Sequence, residues 1–320
     1  MSRSAAHTRV ALLATMLRIR AYEECLAAHI APQLAAACTS LGQEACAAGV
    51  IASLEPCDRI LTNHRSAAHL LARGAAPGRM LAEVLGRSDG YCKGKSGSLH
   101  ISVKELGIVL TSAIVGGELS MVTGVALAQK MGYGEPGAIT ACFFGDGAAC
   151  EGIFHESLNL AAAWDLPVLY VCENNQWQGF VRRRETMRAE HLSSWAQKFD
   201  MPAVVVDGID VEAVNDAAHE AIAQIRRTGR PYFLELQTNG QRGRFEPHDL
   251  AYVDPDELAA SKPRDPIETM SERLLNANVL SAADLAAMRQ RAADEMAAAL
   301  LFAHGSPWPS PAELINDVYA

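Results

Sequence analysis

The sequence is short of several things, and each shortage narrows what the chain can do. Its eight cysteines include no CxxC pair, and several sit in apolar helix or strand patterns. They read as reduced, buried thiols, as expected of a cytoplasmic protein. There is no basic excess: net charge is −9 and the isoelectric point is near 5.6. Nucleic acid and anionic membrane are therefore set aside as main partners. No apolar run approaches the roughly 18 residues of a membrane span, and the amino terminus shows no apolar signal core. No GxxxxGK[ST] loop is present, which leaves the phosphate-loop nucleotide class remote. Internal repeats and low-complexity tails are absent too. What is present is 320 residues, 49% hydrophobic and 20% charged, enough to bury a large core in one α/β domain or two small ones.

The most informative stretch runs from Ala138 to Phe180. An apolar run, Ala138 to Phe144, turns through Gly145-Asp146-Gly147-Ala148 into a helical pattern carrying Ile153, Phe154, Leu158, Leu160 and Ala161. Pro167 closes that helix, and a second apolar run to Cys172 leads into Glu173-Asn174-Asn175-Gln176-Trp177. The order strand, turn, helix, strand predicts a parallel α/β unit. In open parallel sheets ligands bind beyond the carboxyl ends of the strands, so Asp146 and Asn175 are expected to meet there. A carboxylate and an amide oxygen are hard ligands that suit Mg²⁺, which commonly shares its shell with phosphate oxygens. Gly145 and Gly147 let the backbone approach a diphosphate, and the amides of Gly147 and Ala148 can donate to it. Gly-Asp-Gly alone is a common turn; joined to Asn-Asn after the next strand it is far more specific.

This pairing resembles the thiamin-diphosphate motif. The wording is similar to one family in particular, the alpha subunit of two-subunit 2-oxo acid and acetoin dehydrogenases. The matching residues are Gly145 to Ala148, Phe154-His155-Glu156, Asn159, Trp164, Leu166-Pro167 and Cys172 to Asn175. The likeness runs with varying strength from about Arg18 to about Leu274. It implies that His64 and Arg65 hold the diphosphate, that the backbone of Ala113 to Val115 grips the aminopyrimidine ring, and that Gly147 and Ala148 line the cofactor. It also implies Mg²⁺ on Asp146, Asn175 and the backbone carbonyl of Trp177. Taken alone, Arg65 at a strand end would read as a surface salt bridge.

Elsewhere the chain matches and departs by turns. Residues 8–31 read as one packing helix. Leu41 to Ala45 opens another, running to about Leu54, with Gln43 and Glu44 as its start and cap and no catalytic role. Asp58 to Arg65 reads as a short strand with a polar end. Ser88 to Leu110 is rich in Gly, Lys and Ser and reads as a loop. It resembles the family's loop near the mouth of the site, where His100 is either an acid–base or substrate-orienting group or a structural histidine. Ala113 stands where the family has glycine, which a backbone grip tolerates if its φ is negative. A helix follows to about Met131, with small residues Gly116, Gly117, Gly124 and Ala128 on one face. Arg182-Arg183-Arg184 is either a solvated patch or a contact for a substrate anion. Arg244 replaces the family's site histidine; arginine cannot shuttle protons near neutral pH but can hold an anion, and His248 lies four residues on. Further strands are expected at 203–208 and 232–236 with a helix, 211–225, between them. Helices are expected at 256–261, 266–278 and 282–302.

The expected fold is α/β, one doubly wound parallel sheet with helical extensions, divided as an α/β domain over 1–253 and a helical extension over 254–320. The resemblance implies a thiamin-diphosphate-dependent dehydrogenase subunit that cleaves a 2-oxo acid or acyloin beside its carbonyl and passes the acyl unit to a lipoyl carrier. His64, His100 and Arg244 are the catalytic candidates. Only one diphosphate-type domain can be placed, so the activating glutamate is expected on a separate beta chain, in an α2β2 assembly, with a lipoyl-bearing acyltransferase as a further component. A carboligase or acyl-transfer enzyme using the same cofactor, and a non-catalytic binding subunit, are the competing readings.

Overall fold

The computed structural model describes residues 3–30, 37–243, 245–246, 250–256, 259 and 264–317. Arg244 and His248 lie outside the described residues, as does most of the helix expected at 256–261.

The chain opens with α1 (Arg3–Cys25), which continues as a π-helical turn, Leu26–Ile30. Then come α2 (Glu44–Ile51), β1 (Arg59–Asn63), α3 (Ala67–Ala72), α4 (Pro77–Val84), β2 (Ile108–Ser112) and α5 (Gly117–Ala128). The central unit is β3 (Thr140–Gly145), α6 (Gly152–Ala163) and β4 (Val168–Asn174). A two-residue hairpin, β5 (Trp177–Gln178) with β6 (Val181–Arg182), precedes the short helices α7 (Arg183–Thr186) and α8 (Ser193–Ala196). The last strands, β7 (Ala203–Asp207) and β8 (Tyr232–Gln237), flank α9 (Val211–Thr228). Two helices, α10 (Pro266–Asn276) and α11 (Ala282–Gly305), follow.

Six strands form one parallel sheet in the order β2-β1-β3-β4-β8-β7. Successive residues of β3 and β4 face opposite layers. Ala141, Phe143, Leu169 and Val171 join the core beneath α2, α4 and α9, while Cys142, Phe144, Tyr170 and Cys172 join the core beneath α5 and α6. Both faces are covered, which is why these strands read as continuous apolar runs rather than alternating ones. The chain leaves β1 for β2 on one side and returns to β3 on the other. That reversal opens a crevice at the carboxyl ends of β1 and β3.

Local sequence sets the covering helices. Val211, Val214, Ala218, Ala221, Ile222 and Ile225 fall on the buried face of α9, the three-and-four spacing of an amphipathic helix. Asp210 caps it by accepting from Glu212 N at 3.1 Å and Ala213 N at 3.3 Å, which contributes about 1 kcal/mol. Gly229, at φ +71°, ends it in a conformation glycine adopts without strain. The amino- and carboxyl-terminal helices pack together: Leu13, Met16, Ala48, Ile267, Leu274 and Met288 share a third apolar cluster.

Three expectations need correction. The loop read over 88–110 contains β2 at its end, an edge strand whose Val109 is exposed and Leu110 half-buried and whose apolar run, Ile108 to Leu110, is only three residues long. The first helix starts five residues before the expected position 8, and its α-helical part stops at Cys25. The glycine face divides. A side chain at Gly116 would meet Ile153 and Glu151 inside the fold, whereas nothing lies within 4 Å of Gly124.

Candidate active site

The crevice is a cleft of about 390 Å³, within the size range of cofactor sites. Four strand ends converge on it. β1 delivers Asn63, His64 and Arg65; β3 delivers Gly145, Asp146, Gly147 and Ala148; β4 delivers Glu173, Asn175, Gln176 and Trp177; the segment after β8 delivers Asn239, Gly240 and Arg242. Val115, just before α5, completes one wall.

Asp146 is 1% exposed, and its Oδ2 has no hydrogen-bond partner. Burial pushes its carboxyl up from 3.8 to about 7, with the Arg183 charge pulling the other way. An orphaned buried carboxylate oxygen is costly, and a cation facing it would relieve the cost. Among the described residues no group of three or more His, Cys, Asp or Glu side chains forms a closed metal site. A cation here would thus rest on one carboxylate, neutral oxygens, phosphate and water, the donor set of Mg²⁺.

The two asparagines after β4 have separate tasks. Asn174 is fully buried; its Nδ2 donates to Glu235 Oε1 at 2.8 Å, and its Oδ1 accepts from Gln176 N at 3.2 Å and Gln176 Nε2 at 2.7 Å. It fixes the turn, in which Gln176 has φ +69°. Asn175 faces the cleft. Its Oδ1 accepts from Trp177 N at 3.0 Å and keeps a second lone pair for a cation. Arg183 holds the hairpin that follows, donating to Gln176 Oε1 at 3.1 Å, Ala189 O at 2.7 Å and Glu190 O at 2.8 Å. The middle residue of the arginine run is therefore buried structural material, while Arg184 is exposed.

The candidates from sequence gather unevenly. His64, Arg65, Val115, Asp146, Gly147, Ala148, Asn175 and Trp177 all line the cleft. Arg65 also donates to Thr39 O. Ala113 is not among the lining residues, and its φ is not positive, as a backbone grip requires. His100 is exposed, lies outside the lining, and has Nδ1 3.3 Å from Thr111 O. Its loop is tied down: Glu83 Oε2 accepts from Cys92 N at 2.7 Å and Gly94 N at 2.9 Å, and its Oε1 from Ser96 N at 2.8 Å.

Sequence reasoning passed over three lining residues. Gln43 Oε1 lies 3.5 Å from Asn175 Nδ2. Glu173 contacts the buried His69 at 3.0 Å, and the other ring nitrogen of His69 meets Thr62 Oγ1 at 2.8 Å. Glu118, near the start of α5, is buried with a partnerless Oε2. The available signal for Glu118 was the one charged residue in α5, among mostly small and apolar neighbours.

Comparison with known proteins agrees with this geometry. A family model described as Dehydrogenase E1 component matches residues 15–312. The chain is 38% identical to the alpha subunit of acetoin:2,6-dichlorophenolindophenol oxidoreductase from Bacillus subtilis and 36% identical to the same subunit from Cupriavidus necator; in each case 87% of this chain and 83% of the relative are covered. It is 34% identical to the pyruvate dehydrogenase E1 component subunit alpha of Rhizobium meliloti, over 87% of this chain and 80% of that one. The chain belongs to the dehydrogenase E1 component family, as the alpha subunit of a thiamin-diphosphate-dependent 2-oxo acid or acyloin dehydrogenase that works with a beta subunit.

Proposed function

We propose that the cleft binds thiamin diphosphate with Mg²⁺ and that the assembled enzyme cleaves a small acyloin or 2-oxo acid next to its carbonyl. The observation that carries this reading is the buried, partnerless Asp146 Oδ2 at the end of β3, with Asn175 at the end of the neighbouring β4. Asp146, Asn175 and the carbonyl of Trp177 would hold the cation. Arg65 and His64 would take the diphosphate, together with the amides of Gly147 and Ala148. The backbone at Val115, which lines the cleft as Ala113 does not, would seat the aminopyrimidine ring. When bound, the cofactor supplies a carbon nucleophile and an electron sink for the carbanion formed on cleavage. This chain's residues bind and orient it and keep water from its buried end.

The chain's share of the site is one half. The ring-activating glutamate would come from the beta chain, in an α2β2 assembly. Beside the cleft, Ile114 is 70% exposed and Met121 51% exposed, next to the open face at Gly124; this is the face the beta chain would cover. A lipoyl disulfide on a further component would take both the acyl unit, on one sulfur, and the electron pair, which leaves the other sulfur as a thiol; the names of the first relatives carry an indophenol dye, which takes electrons alone. The buried thiols of Cys46, Cys142 and Cys172 support a reducing, cytoplasmic setting.

The test is reconstitution. The isolated chain should not decarboxylate pyruvate or oxidise acetoin. Adding the beta chain with thiamin diphosphate and Mg²⁺ should start reduction of a dye acceptor, and lipoamide should replace the dye. Full activity from the isolated chain would overturn the subunit assignment. Dye reduction without transfer to lipoamide would move the reading toward a carboligase or acyl-transfer enzyme.

A further inference from the structure

Two buried carboxyl groups in the lining of the cleft, Asp146 and Glu118, have an oxygen that no donor reaches among the described residues. The cation accounts for the first. Nothing in the diphosphate or metal role uses the second. Glu118 is 1% exposed, the second residue of the twelve-residue α5, three positions after Val115. Of the other inward residues of that helix, Leu119, Val122 and Ala126 are apolar and fully buried, and Thr123 donates its hydroxyl to Leu119 O at 3.2 Å. Packing alone would place another of these at position 118. A helix start favours negative charge there, while burial opposes it and pushes the acid up from 4.5 to about 7. Both forms of the carboxyl are thus within reach near neutral pH.

Besides Glu118 the acids of the cleft are Asp146, Glu151 and Glu173, and its arginines are Arg65 and Arg242. The cationic Arg65 stands at the end of β1, and the carboxyl of Glu118 at the start of α5 beside Val115. A ligand with an anionic tail and a ring bearing N–H donors and positive charge would lie with its tail at Arg65 and its ring at Glu118. Such a ring would also satisfy the orphaned oxygen, whereas a diphosphate there would be repelled. We propose that Glu118 is a positioning residue for the ring half of thiamin diphosphate, its free carboxyl oxygen accepting an N–H of the bound ring. This rests on the cofactor assignment above.

The test uses the complete alpha–beta complex and two ligands, Mg²⁺–thiamin diphosphate and Mg²⁺–inorganic pyrophosphate, titrated calorimetrically against wild type, Glu118→Gln and Glu118→Leu. Leucine removes the acceptor and keeps the apolar fit; glutamine keeps an acceptor oxygen and the shape, and covers the case in which the leucine variant does not assemble. The Glu118→Leu complex should bind thiamin diphosphate about tenfold more weakly than wild type and pyrophosphate as wild type does, with Glu118→Gln in between for the first ligand alone. A matching loss should appear in the near-ultraviolet circular dichroism that develops when the ring binds. Equal binding of both ligands by all three complexes would overturn the proposal, and so would an equal loss for both ligands, which would mark Glu118 as a support of the whole cleft. A wild-type complex that binds pyrophosphate but not thiamin diphosphate would instead overturn the cofactor assignment, and this inference with it.

Discussion

Replacing Asp146 by asparagine should make the chain more stable and unable to bind its metal. The carboxyl is buried at the end of β3 with one oxygen unpartnered, and burial raises it from 3.8 to about 7. For an acid raised on folding, the unfolded chain ionises first. The folded state is therefore penalised as pH rises through 3.8, and the penalty is complete above about 7. The interval corresponds to roughly 4 kcal/mol. Asparagine keeps the shape and removes the charge. In the absence of ligand, Asp146→Asn should gain a few kcal/mol at pH 8, a Tm higher by roughly 5 °C for a chain of this length. At pH 5 the gain should shrink by more than half, because much of the wild-type carboxyl penalty has not yet developed. With Mg²⁺ and thiamin diphosphate at a hundred times the dissociation constant, the wild type assembled with its beta chain should gain about 2.7 kcal/mol, and the variant nothing. Urea unfolding of the chain at the two pH values and calorimetry of the complex with ligand read both effects. A variant no more stable than wild type at pH 8 would mean that the carboxyl is solvated or paired. Undiminished ligand stabilisation would place the metal elsewhere.

Two other side chains offer independent checks. Glu83→Ala leaves the amides of Cys92, Gly94 and Ser96 without their acceptor; the expected loss is on the order of 3 kcal/mol, with faster hydrogen exchange at those three amides, and unchanged protection would refute it. Gly42 has φ +90°, and a side chain there would sit 2.6 Å from Asn239 O and 2.7 Å from Gln241 Cγ. Gly42→Ala should cost about 1–3 kcal/mol and increase proteolysis of the segment after β8, whereas wild-type stability and cleavage would show that the turn can give way.

The sequence alone determined the architecture around β3 and β4 and brought Asp146 and Asn175 to the one cleft that both line. Apolar runs broken by Gly145-Asp146-Gly147 and by Asn174-Asn175 can only be strands buried on both faces, and parallel strands put their carboxyl ends on one side. The covering helix α9 was legible for the same reason: spacing and caps are local properties. β2 was not, because its apolar run, Ile108 to Leu110, is only three residues long and follows a stretch rich in Gly, Lys and Ser. Tertiary structure alone decided which member of each repeated group does what. Asn174 turns inward to Glu235 and Asn175 faces the cleft; Arg183 is spent on backbone carbonyls while Arg184 stays in solvent; Gly116 packs against α6 while Gly124 lies open. Glu44 and Glu118 show the same limit. Both begin helices as buried carboxyl groups, yet Glu44 meets Arg20 and the Gly42 amide, whereas Glu118, in the lining of the cleft, has an oxygen that no described donor reaches. Neighbours distant in the chain set burial and partners, and those set the charge state and the chemistry that follows from it.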